Sequence, residues 1–255
     1  MANALYLSEY FSELWKGKDP FDEVEKITGE VYRELDGRTT LRFELDGKGY
    51  FLKIHRGVGW REVFKNLVQL RLPVLGAENE WKAIDKLKSI NVDTMTYVAY
   101  GKTGINPAKQ LSFIITEDLT DCISLEDYFL GMPVEDRAGA KAEGLIEKLA
   151  ESVTAMHQHG MNHRDLYICH FLFDPKKIES EQTLHVIDLH RAQIREKVPY
   201  RWLVKDVASV VYSMKEVYAS KDQISTFTRL YSVDGDSRFW AAVMKKSDAL
   251  LAKIV

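Results

Sequence analysis

Two cysteines in 255 residues, Cys122 and Cys169, leave no disulfide framework. They are 47 residues apart, so they form no pair at metal or redox spacing either. A reducing compartment fits such a chain best. No run of about 18 apolar residues occurs, so no spanning helix is expected. The opening MANALYLSEYFSELWKG lacks a basic start and a long apolar run, and does not read as a signal peptide. Excess positive charge is missing too. The net charge of −3 gives bulk charge no reason to draw nucleic acid, so attraction to an anion must come from a local patch. There are no repeats, no low-complexity linker and no Gly-x-Gly-x-x-Gly series. The remainder, 45% hydrophobic and 29% charged, is ordinary for a globular protein, and the length suffices for two lobes around a cleft.

Residues 30–55 read as three antiparallel strands. Leu41, Phe43 and Leu45 alternate with Arg42 and Glu44, and Asp36-Gly37 and Asp46-Gly47 are turn dipeptides. The third strand puts Tyr50, Leu52 and Ile54 on one face and Phe51, Lys53 and His55 on the other. Residues 78–89 have helical spacing, with Glu80 on the stripe of Trp81, Ile84 and Leu87. Strands are expected near 94–100 and 111–117. Beyond 117 the texture turns helical: a helix over 139–159 stopped by Gly160, short strands at 171–173 and 184–188, then helices at 201–219 and about 237–254. The predicted fold is α+β and bilobal. A β-rich lobe covers 1–117, a mainly helical lobe covers 118–255, and a basic helix is inserted at about 56–72.

Four features follow in one order: a turn at 35–40 with Gly37, Arg38 and Thr39; Lys53 in a strand; Glu80 on a helix; and two acidic motifs, His163-Arg164-Asp165 and Val186-Ile187-Asp188-Leu189-His190. Phosphoryl transfer needs such parts. A lysine neutralises phosphate oxygens, a glutamate holds that lysine, one carboxylate orients the attacking hydroxyl, and another holds the metal that bridges the phosphates. The protein-kinase signature supplies them in this order. Each piece alone is commonplace, since strand lysines and helix glutamates are usually solvated. The order and the β-then-α context carry the kinase-like reading. ATP and Mg²⁺ are the expected cofactors.

Two positions depart from protein kinases. The phosphate-covering turn has one glycine, Gly37, so backbone amides with Arg38 or Thr39 would contact phosphate; a plain hairpin turn is the other reading. Five residues after Asp165, where an asparagine ligand is expected, stands His170. Imidazole suits hard Mg²⁺ poorly, so His170 either replaces that ligand or orients a neighbour, and Asp188 is the firmer metal ligand. Glu117, Asp118 and Leu119 form the connecting segment where adenine would bind. Asp206 either ties down the His-Arg-Asp backbone or is an acid placed at a helix N-terminus by the dipole.

The strings Val31-Tyr-Arg-Glu-Leu35, Arg38-Thr-Thr-Leu-Arg-Phe43, Tyr50-Phe-Leu-Lys53, Leu72-Pro-Val-Leu-Gly-Ala77, Phe113-Ile-Ile-Thr-Glu-Asp-Leu119, Asn162-His-Arg-Asp165, Tyr167-Ile-Cys-His-Phe-Leu172 and Val186-Ile-Asp-Leu-His-Arg-Ala192 resemble the bacterial lipopolysaccharide core heptose(I) kinase family. The likeness runs from about Leu14 to about Asp206, some three quarters of the chain. His170 belongs to these strings, whereas Leu166 stands where the family has cysteine. The resemblance implies transfer of the γ-phosphate of ATP to the 4-hydroxyl of the first inner-core heptose. It also implies a lipid-anchored acceptor, work at the cytoplasmic face of the inner membrane, and acyl carrier protein as a partner.

Two basic regions suit an anionic acceptor. Residues 56–72 carry Arg56, Arg61, Lys65 and Arg71 among apolar residues, as a membrane-surface helix does, or as a helix packed on its own domain. Arg191, Arg195, Lys197 and Arg201 follow Asp188 and either meet acceptor carboxylates or phosphates, or form a solvated stretch. The rival functions are a kinase for another acceptor, such as the keto-deoxy sugar of the core, and an inactive kinase-like scaffold.

Overall fold

A computed structural model describes residues 4–35, 37–57, 76–104, 110–133, 137, 139–177, 182–233 and 236–253. The expected basic helix lies, beyond residue 57, outside the described residues, as does Asp36 of the first turn. The described residues fall into two compact units, one drawn from Met1–Ile84 and Met95–Thr120, the other from Asp85–Thr94 and Asp121–Val255.

The first unit is built on a six-stranded sheet. Its strands are β1 (Ala4–Leu7), β2 (Glu30–Leu35), β3 (Arg38–Leu45), β4 (Lys48–Arg56), β5 (Tyr97–Thr103) and β6 (Leu111–Glu117), in the order β1-β5-β6-β4-β3-β2. Every neighbouring pair is antiparallel. The β3–β4 turn has the expected chemistry: Asp46 and Gly47 both take positive φ, 50° and 74°, as a two-residue hairpin of the right twist requires. Gly37 also has positive φ, 75°, but Arg38 and Thr39 belong to β3 rather than to the turn.

Alternation decides the two faces. Leu41, Phe43, Tyr50, Leu52 and Ile54 are buried together with Val98, Ala99, Phe113 and Ile115. Two short helices close this core: α1 (Glu9–Leu14), capped by Ser8, and α2 (Pro20–Lys26), capped by Asp19. Phe11, Trp15 and Val24 join the core from the α1–α2 region. Lys53 must then face the other way. On that second face Lys53, Ile114 and Tyr100 stand opposite one another across β4, β6 and β5. A helix, α3 (Glu78–Ser89), lies against the same face. Trp81 stacks on Tyr100 at 4.4 Å, and the Ala77 amide donates to Ser112 Oγ at 3.1 Å. Strand β5 starts and ends three residues later than the sequence pattern suggests. Gly101 stays inside it because the Phe113 ring covers it, 2.6 Å from where a Cβ would be.

The second unit is mainly helical. It holds α4 (Leu125–Gly131), α5 (Ala140–Gln158), α6 (Tyr200–Glu216), α7 (Lys221–Leu230) and α8 (Ser237–Leu251). Short strands β7 (Ile123–Ser124), β9 (Phe171–Phe173) and β10 (His185–Val186) form one small sheet, and β8 (Met161–Asn162) pairs with β11 (Gln193–Ile194). The α5 stripe Leu145, Ile146, Leu149, Val153 and Met156 is buried as its spacing predicts. Gly160 ends the helix with φ 78°, and its carbonyl accepts from the Arg195 amide at 2.8 Å, an approach so close that a Cβ would lie 1.8 Å from the Arg195 carbonyl oxygen. Only glycine meets both demands. The 201–219 helix begins at Tyr200 and stops at Glu216, after which Ser220 caps the separate α7 with a reciprocal Gln223 bond.

Candidate active site

In the first unit β4 and α3 bring together one charged pair. Lys53 Nζ donates to Glu80 Oε1 at 2.6 Å. Glu80 is 1% exposed, and its Oε2 has no hydrogen-bond partner among the described residues. A carboxylate this buried is held there by its lysine, since an unpaired charge would cost several kcal/mol. The lysine side chain keeps 19% of its surface open. Beyond β6, the Glu117 amide donates to Thr96 O at 2.9 Å and the Asp118 amide to Gly49 O at 3.0 Å. The Asp118 carboxylate accepts from Arg42 Nε at 2.6 Å. Arg56 donates to Thr39 Oγ1 at 3.0 Å while also paired with Glu25.

In the second unit the loop after Gly160 carries His163, Arg164 and Asp165. One buried carboxylate organises it. Asp206, 0% exposed, accepts from the His163 amide at 2.6 Å and the Arg164 amide at 3.0 Å. Because α6 starts at Tyr200, Asp206 lies in the second helical turn rather than the first. Its carboxylate faces the loop, which displaces the helix-dipole reading. The two bonds hold Arg164 at φ 78°, a conformation that disfavours a side chain. His163 is buried, and its Nε2 donates to Ile187 O at 2.9 Å. Burial holds its pKa below the ordinary value, the Ile187 bond opposing, so the ring is neutral.

Asp165 is thereby presented in a fixed place. Arg191 Nη1 donates to both of its oxygens at 2.8 Å, and Lys205 Nζ lies 3.5 Å from Oδ1. His170 ties the two acidic motifs together. Its Nδ1 donates to the Asp165 carbonyl at 2.8 Å, its own carbonyl accepts from the Ile187 amide at 3.0 Å, and its Nε2 is 3.8 Å from Asp188 Oδ2. With the proton on Nδ1, the Nε2 lone pair points toward the Asp188 side. Asp188 takes φ 58°, and its Oδ1 accepts from His190 Nδ1 at 2.6 Å.

A family model described as "Lipopolysaccharide kinase (Kdo/WaaP) family" matches residues 22–231. The chain belongs to this lipopolysaccharide kinase family. Membership makes it a phosphotransferase with ATP as donor. The chain is similar to a protein named lipopolysaccharide core heptose(I) kinase WaaP from Escherichia coli, at 50% identity, over 88% of this chain and 86% of that one. It is 48% identical to the protein of the same name from Pseudomonas aeruginosa, over 89% and 85%. A solved structure titled "WaaP in complex with acyl carrier protein" matches with a TM-score of 0.81 at 40% identity, covering 97% of this chain and 99% of that one.

For this lipopolysaccharide kinase family member, the three arginines after Asp188 separate in space. Arg191 reaches Asp165. Arg195 turns away and donates to Asn162 Oδ1 at 2.6 Å and Gln193 Oε1 at 2.5 Å, bracing the β8–β11 pair. Arg201 stands over the Trp202 ring at 5.1 Å, with Arg164 at 4.9 Å and Lys205 at 5.8 Å. Sequence reading missed Lys205 and Trp202, and named His190 only as part of the motif around Asp188. Lys205 adjoins Asp206, but no local pattern says that a helix lysine points at a loop carboxylate 40 residues earlier.

Proposed function

We propose that this protein transfers the γ-phosphate of ATP to the 4-hydroxyl of the first heptose of the lipopolysaccharide inner core. The observation that carries the reading is the position of Asp165, whose loop is held by the buried Asp206 and whose backbone carbonyl is tied by His170 toward Asp188. Identity of about half to two proteins named heptose(I) kinases supports the acceptor.

Lys53, steadied by Glu80, grips the phosphates of ATP. Gly37, Arg38 and Thr39 lie at the start of the strand that covers them. The adenine meets the 117–119 segment. With the Glu117 and Asp118 amides engaged internally, Leu119 N–H and the carbonyls are what the segment offers. Asp165 orients the heptose hydroxyl and takes its proton. A carboxylate has about four acceptor sites, so Arg191 leaves room for that hydroxyl. Positioning and charge neutralisation, rather than basicity, supply most of the rate in such transfers.

No cluster of three or more His, Cys, Asp or Glu able to hold a metal occurs among the described residues. That suits Mg²⁺, which commonly takes one or two carboxylates plus substrate phosphates. Asp188 supplies the carboxylate and the His170 Nε2 lone pair lies beside it. When bound, the ion would neutralise charge on the phosphates.

Arg191 and Arg201 face the acceptor's acidic groups, while Arg195 supports Asn162 and the loop from below. Among the described residues no helix is long and apolar enough to cross a membrane. A lipid-anchored acceptor is then met by peripheral contact at the cytoplasmic face of the inner membrane. Acyl carrier protein is the proposed protein partner, after the solved WaaP complex.

The test is purified protein with ATP, Mg²⁺ and core lipopolysaccharide lacking heptose phosphate, beside Asp165→Asn. Phosphate on the first heptose, reduced about 10²–10⁴-fold in the variant, is expected. Transfer to the keto-deoxy sugar would replace the acceptor. Equal turnover in Asp165→Asn would remove the carboxylate from its role.

A further inference from the structure

The surroundings of Asp165 hold more positive charge than the carboxylates there balance. Arg164, Arg191 and Lys205 converge on the loop. Of the two aspartates, Asp206 is engaged by backbone amides, and Asp165 is already bound through both oxygens by Arg191. Lys205 is therefore not needed to neutralise Asp165. Its Nζ stands 3.5 Å from Oδ1, beyond a good hydrogen bond, and no closer anion is paired with it among the described residues. The side chain is 27% exposed and runs along Trp202, with Nζ 5.8 Å from the ring centre. Burial lowers the pKa of Lys205, with Asp165 and Asp206 opposing and Arg191 reinforcing, and burial lowers Arg164 similarly.

The placement follows from register. Lys205 precedes Asp206 on α6, so the helical turn that fixes the loop backbone also delivers the ammonium beside its carboxylate. The loop has no lysine of its own there. Tyr167 instead packs edge-on against His170 and Tyr212.

We propose that Lys205 is a further catalytic residue, whose ammonium contacts the oxygens of the phosphoryl group in transit while Asp165 holds the accepting hydroxyl. This rests on the phosphotransfer reading above. An acceptor oxygen about 2.7 Å from Asp165 Oδ1 lies at most about 6 Å from Nζ, and the phosphorus in line beyond it is within reach of a flexible lysine. In the step, the acceptor oxygen bonds to the γ-phosphorus and the bond from that phosphorus to the β–γ bridging oxygen breaks. ADP leaves with the electron pair, and the hydroxyl proton passes to Asp165. Lys205 keeps its three protons and gains only a counter-charge, so its effect falls on kcat.

Lys205→Met and Lys205→Arg would be measured for heptose transfer, for slow ATP hydrolysis to water, for ADP binding and for thermal midpoint. The expected result for Lys205→Met is a loss of about 10²–10³ in kcat, the scale of removing one preorganised transition-state donor. Hydrolysis falls by the same factor, ADP affinity and midpoint stay put, and Lys205→Arg recovers at least part of the rate. Turnover within threefold of the parent overturns the proposal. So does a loss confined to transfer with hydrolysis intact, which would make Lys205 an acceptor contact. If Lys205→Met does not fold, Lys205→Arg and Lys205→Gln decide: equal rates in the two overturn it. Hydrolysis needs no acceptor, so a parent protein that hydrolyses ATP without phosphorylating the core would sink the heptose reading alone.

Discussion

Replacing Asp206 by alanine removes one fully buried carboxylate and leaves two amide donors, of His163 and Arg164, facing a cavity. Hydrogen bonds to a charged group contribute about 1.5–3 kcal/mol each. Their lengths of 2.6 and 3.0 Å put both in the effective range. Their sum, reduced by whatever water enters, gives a loss of about 3–5 kcal/mol. Asp206→Asn keeps one acceptor oxygen and turns an NH2 toward the second amide, so it should lose about half as much. The same bonds hold Arg164 in its left-handed conformation, which costs about 1–2 kcal/mol for a side-chain-bearing residue. Once released, the loop relaxes and carries Asp165 with it, and a displacement of about 1 Å lowers turnover about 10²-fold. Urea unfolding followed by circular dichroism, with kcat measured on the folded fraction, reads both effects. An alanine variant within about 0.5 kcal/mol of the parent, the ordinary scatter of surface changes, would refute the reasoning.

Two glycines should respond in opposite directions. Gly160→Ala places a Cβ 1.8 Å from the Arg195 carbonyl at φ 78° and should lower stability by more than about 1 kcal/mol. Gly144→Ala, inside α5 with nothing within 4 Å, should raise it by about 0.5–1 kcal/mol; thermal midpoints of the pair check both, and a shared sign contradicts the steric argument. His163 gives a pH dependence. Its folded pKa is depressed by burial, so as pH falls below about 6.5 the unfolded chain binds a proton the folded chain refuses, and stability drops by about 1.4 kcal/mol per pH unit until the folded pKa is reached. His163→Gln should flatten the stability profile between pH 6.5 and 5 relative to the parent, and parallel profiles would show that another group titrates.

Much of this protein could be read along the chain. Alternation in 30–55 turned Lys53 away from the core face, because a strand's period of two leaves no choice once Leu52 and Ile54 are buried. Helical spacing put Glu80 on the stripe of Ile84 and Leu87, and that stripe is the buried one. Gly160 marked the end of α5 through its freedom at positive φ. Strand β1, by contrast, has four residues and gains its structure only from pairing with β5. Helices α1 and α2 are too short to announce themselves by periodicity. Lys53 and Glu80 were nameable from residue type, order and local pattern alone, and so were the acidic motifs. Tertiary structure alone decided that Asp206 serves two loop amides, that Arg195 turns to Asn162 while Arg191 reaches Asp165, and that Lys205 stands beside that carboxylate. Those outcomes depend on where α6 and the 191–195 segment meet a loop between 26 and 43 residues earlier in the chain, and periodicity carries information only within an element.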